Sequence, residues 1–154
     1  MTWKGKMKVV LAENKHIDRA AELLHEEWYD SLSEAKEQLN LKINKRECFV
    51  AVEGEQVLGV LMYARDYSHY ANYCEDIVVS RAHRKKGIAV ELMKKFIEVS
   101  GKEQIDKQKL VLSSTDVTNE ASIKMHEKAG FENLGTIKKL HFGKDEIFFG
   151  YKLR

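Results

Sequence analysis

Proline is absent from this sequence of 154 residues, cysteine occurs twice, and no run of glycine and serine interrupts the chain. A chain of this length with nothing that marks a linker fits a single domain, residues 1–154, built around one core. No apolar segment approaches the roughly 18 residues that a membrane span requires. The apolar residues 9–11 are too few for the central region of a signal peptide, so we expect no membrane partner.

Charges of opposite sign nearly cancel, since 26 lysines and arginines are balanced by 24 aspartates and glutamates, for a net charge of +2. This balance gives no support for a general nucleic-acid or membrane binder. The two cysteines, Cys48 and Cys74, lie in strand-like segments. They could pair, but the pattern favours reduced, partly buried thiols in a cytoplasmic protein.

The spacing of apolar residues predicts an alternation of helices and strands. Ile17, Ala20, Leu24 and Trp28 recur at helical intervals, which predicts an amphipathic helix over residues 16–31. Residues 53–56 separate two apolar runs and predict a hairpin. The other expected elements are strands at 7–12, 48–52, 57–63, 70–79, 110–113, 133–142 and 146–153, and helices at 33–43, after the turn at residue 87 and from residue 119. This order predicts a mixed α/β sheet whose faces are covered by helices.

The most informative segment runs from residue 77 to residue 96, where an apolar strand leads through a basic turn into an amphipathic helix. A helix start leaves four backbone N–H groups without partners and carries the positive end of the helix dipole. Gly87 can supply a left-handed or closely approached backbone there, and Ala89 is small. The basic residues of the turn are Arg81, Arg84, Lys85 and Lys86. The segment therefore predicts a cradle for a pyrophosphate group.

Two runs in this sequence resemble a known family. Arg84-Lys85-Lys86-Gly87-Ile88-Ala89 resembles the acetyl-CoA loop of the GCN5-related N-acetyltransferases, whose pattern is Gln/Arg-x-x-Gly-x-Gly/Ala. The run from Asn119 to Phe131 resembles the family's later segment, in which an Asn and a helix precede Glu-Lys-x-Gly-Phe. The resemblance covers roughly residues 48–135. It implies the family's fold, a mixed and mostly antiparallel central sheet with helices on both faces and splayed central strands.

The resemblance implies acetyl-CoA as the co-substrate, and no metal. The expected contacts are the strand backbone of Ile77, Val78 and Val79 for the pantetheine, the backbone of Lys86, Gly87, Ile88 and Ala89 for the pyrophosphate, and the side chains of Arg84, Lys85 and Asn119. Asn119 has an alternative interpretation as a plain helix N-cap. The family most often has Pro at the position of Arg81 and Gly at that of Lys85.

Proton chemistry points to the end of the strand before the basic turn. Transfer of an acetyl group needs a neutral amine, a polarised thioester carbonyl and an acid for the leaving thiolate. Glu75 and Asp76 resemble the Glu-Asp pair of family members that act on small amines, in which it binds the amine and helps to remove its proton. Alternation sends the two to opposite faces unless a bulge intervenes. The alternative is a polar strand end with one carboxylate in solvent.

His126 departs from the family pattern, because most relatives have Tyr there, seven residues after the Asn, as the acid for the departing thiolate. Imidazole can also donate a proton near neutral pH, so the resemblance makes His126 a candidate catalytic acid. The alternative is a hydrogen-bonded, half-buried histidine without a chemical role.

The acceptor pocket is less defined by the sequence. Trp28, Tyr29 and Asp30 end the first predicted helix, where the family builds one wall of this pocket, and the aromatic-rich segment 63–73 sits between two predicted strands. Aromatic and acidic side chains suit a cationic amine, although ordinary core aromatics explain the same pattern.

The resemblance as a whole implies an N-acetyltransferase that moves the acetyl group of acetyl-CoA directly to an amine. The preferred acceptor is a small-molecule primary amine: polyamine-like, amino-sugar or aminoglycoside-like. The alternatives are a protein N-terminus or lysine as acceptor, and a non-catalytic acyl-CoA-binding module. Many relatives pair through late strands, and the apolar residues Ile137, Leu140 and Phe142 favour a homodimer.

Overall fold

The computed structural model describes residues 6–103 and 110–153. The strands there are β1 (Lys8–Leu11), β2 (Cys48–Glu53), β3 (Gln56–Ser68), β4 (Ala71–Val79), β5 (Leu110–Asp116), β6 (Glu132–His141) and β7 (Lys144–Lys152), and the helices are α1 (Ile17–Glu27), α2 (Leu32–Asn44), α3 (Ile88–Glu103) and α4 (Glu120–Lys128). The sheet order is β1-β2-β3-β4-β5-β7-β6. β4 and β5 are parallel neighbours, whereas β1–β2, β2–β3, β5–β7 and β6–β7 pair antiparallel. The predicted mixed, mostly antiparallel α/β fold is confirmed.

The chain divides into two compact units. The first comprises the chain up to Tyr63 together with Asp76–Lys95, and the second comprises Ala64–Glu75 together with the chain from Phe96 onward. The long elements β4 and α3 each contribute to both units. The single domain over residues 1–154 stays a prediction.

In the first unit, helices cover both faces of the strands. Leu24 of α1 and Leu39 of α2 are fully buried in one cluster with Val60 of β3. Gly59 precedes Val60, and a Cβ atom on it would lie 3.2 Å from the Leu92 side chain of α3. Because neighbouring strand residues point to opposite faces, α1 and α2 pack on one face and α3 on the other.

In the second unit, the register of β5 and β7 defines which residues share a face. Ser113 lies opposite Phe149, and Ser114 lies opposite Phe148. His126 of α4 contacts both Ser113 and Phe149, so α4 packs on their face. Alternation along the strands places Ser114 and Phe148 on the face away from α4.

Three predicted boundaries are wrong, and one of them is the end of β5, which lies at Asp116 instead of residue 113. α1 ends at Glu27 instead of residue 31, and Trp28 is 54% exposed. The helix stops there because Ser31 caps the next one: its hydroxyl accepts a hydrogen bond from the N–H of Glu34 at 3.1 Å. β3 continues to Ser68 instead of ending at residue 63, so the aromatic segment 63–73 belongs to β3, β4 and the turn between them.

The two cysteines agree with the expectation from the sequence. Cys48 and Cys74 are both buried, and neither forms a disulfide. Burial raises the pKa of the Cys48 thiol to about 12, which keeps it protonated at neutral pH. Across residues 6–103 and 110–153, no helix has the length and apolar character needed to cross a membrane.

Candidate active site

The basic turn between β4 and α3 lies in the first unit. Gly87 has a φ of +82° and Lys85 a φ of +63°, both in the left-handed region. α3 starts at Ile88, and the N–H of Glu91 donates to the carbonyl of Gly87 at 3.1 Å. The N–H groups that precede Glu91 in the helix lack intrahelical partners and lie at the positive end of the helix dipole. This geometry fits a pyrophosphate cradle, because it presents backbone donors beside a residue without a side chain.

Lys85 departs from the family pattern at a position where the backbone is left-handed. Its left-handed backbone is the conformation that glycine adopts without strain, and glycine is the residue that the family resemblance implies at this position. A residue with a Cβ atom pays roughly 1–2 kcal/mol for this conformation. Lysine instead of glycine at residue 85 therefore lowers the stability of the turn and adds one positive charge near Gly87.

Glu27, the last residue of α1, holds two arginines of the turn. Its Oε1 atom lies 2.7 Å from Nη2 of Arg84 and 3.0 Å from Nε of Arg81. Nε of Arg84 also donates to the carbonyl of Val79 at 3.2 Å. Part of the charge predicted for a pyrophosphate is thus already paired within the protein. Sequence reasoning missed Glu27, because nothing in its spacing links it to a turn more than fifty residues later.

The ion pairs of Glu27 predict that the free energy of unfolding depends on pH. Burial disfavours its charged form, but the hydrogen bonds and charges of Arg84 and Arg81 outweigh this and hold its pKa below the ordinary 4.5. A carboxyl group with a lowered pKa stabilises the fold above its unfolded pKa and loses this contribution as the pH falls through its folded pKa. We expect Glu27→Gln to lower the free energy of unfolding by about 1 kcal/mol at pH 7, since the arginines are largely exposed. The difference should shrink below about pH 4.5.

Chemical denaturation of both proteins from pH 7 to pH 3 measures this difference. The matched control is Glu22→Gln, because Glu22 forms an exposed pair with Arg19 within α1. A gap between wild type and Glu27→Gln that stays constant down to pH 3 would contradict the assignment.

The structure brings together two of the residues predicted for acceptor binding. The hydroxyl of Tyr29 donates to Oδ2 of Asp76 at 3.1 Å. Trp28 and Asp30, on either side of Tyr29, are exposed. Glu75, which precedes Asp76 on β4, is exposed as well. The hydrogen bond from the Tyr29 phenol thus orients the carboxylate of Asp76.

The last residues of β4 differ in how deeply they are buried and in whether their carbonyl groups already accept hydrogen bonds. Val78 is 5% exposed and belongs to the core with α1 and α2, whereas Ile77 and Val79 are half-buried. The carbonyl of Val79 accepts the hydrogen bond from Arg84. A pantetheine contact through that oxygen therefore shares it with Arg84 or displaces the guanidinium.

His126 lies in the second unit and is 1% exposed. Its Nδ1 atom is 2.7 Å from the carbonyl oxygen of Ser122, and its Nε2 atom is 2.7 Å from Oγ of Ser113. A carbonyl oxygen only accepts, so Nδ1 carries the proton, and Nε2 of the neutral ring accepts from the Ser113 hydroxyl. The ring stacks on Phe149 at 4.5 Å.

The electrostatics of His126 agree with these contacts. Burial lowers its pKa from the ordinary 6.5, and the hydrogen bond to the Ser122 carbonyl only partly opposes this. A neutral ring with both nitrogens occupied has no proton ready to donate. The arrangement favours a packing role, and the catalytic role stays a prediction.

Asn119 caps α4, since its Oδ1 atom accepts the N–H of Ser122 at 3.1 Å. This is the alternative interpretation that the sequence left open. The cap uses the oxygen of the side chain, so the predicted contact of Asn119 with the arm of acetyl-CoA would use its amide nitrogen.

Comparison with known proteins identifies the family. The profile of the acetyltransferase (GNAT) family matches residues 17–131, more than half of the chain. The chain belongs to this family. No curated protein sequence matches it. As a GNAT protein it is an acyltransferase that uses acetyl-CoA as its acetyl donor.

Solved structures agree on the fold. A GNAT acetyltransferase from Bacillus cereus superimposes with a TM-score of 0.82 at 22% identity, over 97% of this chain and 99% of that chain. A putative acetyltransferase from Salmonella typhimurium, solved with acetyl-CoA, gives 0.81 at 18% identity, over 96% and 94%. A spermidine N-acetyltransferase chimera from Vibrio cholerae and hSSAT gives 0.76 at 18% identity, over 96% of each. At these identities the likeness shows the fold of the GNAT protein.

Proposed function

We propose that this GNAT protein acetylates a primary amine of a small molecule that is polyamine-like, an amino sugar or aminoglycoside-like. The observation that carries the proposal is the acidic end of β4, where exposed Glu75 is followed by Asp76, held by the hydroxyl of Tyr29 at 3.1 Å. Two carboxylates at consecutive positions make this end of the strand negatively charged, which favours a cationic acceptor. The family also includes enzymes for protein amines, so a protein N-terminus or lysine is the second candidate.

Acetyl-CoA supplies an acetyl group as a reactive thioester when it is bound. In the proposed mechanism, the backbone of Lys86 to Ala89 and the dipole of α3 hold its pyrophosphate, with charge from Lys85 and Arg84. The backbone of Ile77 to Val79 and the amide of Asn119 position the rest of the donor. Binding both substrates in one complex makes the transfer effectively unimolecular.

The carboxylates prepare the amine. Asp76 binds the ammonium form, and Glu75, which strand alternation places on the opposite face of β4, takes its proton through a water molecule, because only a neutral amine has the lone pair that attacks a thioester. The N–H of Val79 would donate to the thioester carbonyl and stabilise negative charge on its oxygen. His126 protonates the departing thiolate only after its ring has moved away from the Ser122 carbonyl. Water is the alternative proton donor.

A substitution at His126 distinguishes a packing role of this residue from a role as the catalytic acid. His126→Phe keeps an aromatic ring beside Phe149 but leaves the Ser113 hydroxyl and the Ser122 carbonyl without their buried partner. We expect the free energy of unfolding to fall by about 1–3 kcal/mol, while turnover of the folded enzyme changes less than about threefold. Ser113→Ala, which removes one of the two bonds, is the matched control and should destabilise less. A loss of about 10²- to 10⁴-fold in turnover with unchanged stability would instead establish general acid catalysis.

An amine panel tests the proposed function. Purified protein is incubated with acetyl-CoA and with polyamines, amino sugars, aminoglycosides and peptides that carry a free N-terminus or lysine, and release of the CoA thiol is followed. We expect turnover with small primary amines. Turnover with peptides alone would favour the second candidate, and binding of CoA without turnover on any amine would favour a non-catalytic module.

The proposal includes a homodimer. β6 is an edge strand of the sheet, and edge strands present unpaired backbone groups. The exposed apolar residues in and after β6 are Leu134, Ile137, Leu140 and Phe142, of which Phe142 is 96% exposed. These features support pairing of two copies through the late strands, and a monomeric mass in light scattering at micromolar concentration would contradict it.

A further inference from the structure

The face of the second unit away from α4 carries a polar and aromatic cluster, of which the sequence indicated only the aromatic segment that contains Tyr67 and Tyr73. It consists of Tyr67 of β3, Tyr73 of β4, Ser114 of β5, and Glu146 and Phe148 of β7, and we call it the β7 cluster. Ser114 and Phe148 are opposite each other in register and point away from α4. The hydroxyl of Tyr73 lies 2.6 Å from Oγ of Ser114, which places Tyr73 on the same face.

The polar half of the β7 cluster ends in a buried carboxylate. Glu146 is 8% exposed, and its Oε2 atom accepts the Ser114 hydroxyl at 2.8 Å. Its Oε1 atom is buried and has no hydrogen-bond donor among the residues that the structure describes. Buried carboxylate oxygens are normally paired, because burial without a partner costs several kcal/mol. The unpartnered oxygen therefore points to a donor that is supplied from outside.

Neighbouring charges do not complete this site. Nδ1 of His141 is 3.6 Å from Oε1 of Glu146, longer than a hydrogen bond, and the His141 side chain is 37% exposed. Asp116, opposite Glu146 in register, adds negative charge, but it is already paired with Lys144 at 3.6 Å. A cation of small size could displace the exposed imidazole and reach the carboxylate.

The aromatic half of the cluster forms a row beside the carboxylate. The rings of Tyr67 and Tyr73 stack with centroids 4.7 Å apart, and Tyr73 and Phe148 follow at 6.4 Å. Burial, the largest effect, raises the pKa of Tyr73 to about 12, so its phenol stays neutral. Aromatic rings contact both methylene groups and cations favourably.

We infer that the β7 cluster binds a second ammonium group of the acceptor, with the hydrocarbon spacer lying along the aromatic row. The inference rests on the proposed function and narrows its substrate class to diamines and polyamines. Glu75 follows Tyr73 by two residues, about 7 Å along the strand. A reactive amine at Glu75 is therefore within reach of a short spacer from the cluster.

A matched pair of ligands tests this inference. Calorimetry in the presence of CoA measures the affinity of wild type for hexamethylenediamine and for hexylamine, which differ only in the second amine. We expect the diamine to bind at least about tenfold more tightly, as loss of a charge-assisted hydrogen bond implies. Glu146→Gln should lower the diamine to the level of the monoamine and leave the monoamine unchanged.

Controls keep the outcome unambiguous. Glu132→Gln removes an exposed carboxylate from β6 and should alter neither affinity. If Glu146→Gln does not fold, Tyr67→Leu replaces an aromatic ring that is 59% exposed and should weaken diamine binding about two- to fivefold. Equal affinities for the two ligands in wild type, or an equal effect of Glu146→Gln on both, would overturn the inference. Selective diamine binding without acetylation of any amine would refute the proposed function and leave the second-cation site standing.

Discussion

Gly87→Glu is expected to weaken binding of acetyl-CoA by at least about 100-fold, which corresponds to about 2.7 kcal/mol. The residue has a φ of +82° directly before α3, so a substitution adds a side chain beside the helix N-terminus. A carboxylate adds repulsion toward the pyrophosphate at the point where the helix dipole favours an anion. Calorimetry with CoA measures the loss.

Strain at Gly87 must be separated from the loss of the cradle, because a residue with a Cβ atom is disfavoured at positive φ. Gly54→Glu is the matched control. Gly54 has a φ of +61° in the turn between β2 and β3, and a Cβ atom there meets nothing within 4 Å. The control introduces the same residue and charge into a similar backbone, so both variants should lose similar stability. Binding by Gly87→Glu within about threefold of wild type would refute the assignment of the turn.

Local sequence signals predicted the strands, the helices and the basic turn before α3. They did not predict contacts between residues that are far apart in the chain. The alternation and spacing of apolar residues found the strands and helices because burial of one face imposes these periods on the sequence. The left-handed backbone at Gly87 follows from a second local signal, because glycine adopts this conformation without strain. The end of α1 was misplaced because Trp28 fits the helical spacing, whereas the cap at Ser31 determines where the chain turns.

The contacts of the candidate site could not be predicted from one sequence. Glu27 with Arg84, and Ser114 with Glu146, each join residues that are far apart in the chain. His126 shows the same limit in another form. Its position on the helix was correct, but its protonation depends on Ser113 and Ser122, whose geometry only the folded chain defines.

Glu75→Gln is expected to lower the turnover number by about 10²- to 10⁴-fold, the usual contribution of a general base. Gln keeps the size and polarity of the side chain but cannot take a proton from the ammonium group. Glu75 is exposed on β4, and Gln preserves the size of the side chain, so we expect the free energy of unfolding to change by no more than about 0.5 kcal/mol. The affinity for acetyl-CoA should also be retained, since the predicted donor contacts begin at Ile77.

Asp76→Asn is the matched control, because it removes a neighbouring charge while an amide oxygen can still accept from the Tyr29 hydroxyl. If Asp76 binds the amine and Glu75 deprotonates it, Asp76→Asn raises mainly KM, whereas Glu75→Gln lowers mainly kcat. Steady-state kinetics with the best amine of the panel, measured across pH, separates the two. Raising the pH should partly restore Glu75→Gln, because more of the amine is then neutral in solution. Turnover of Glu75→Gln within about threefold of wild type, with no such restoration, would exclude Glu75 as the base and leave solvent to deprotonate the amine.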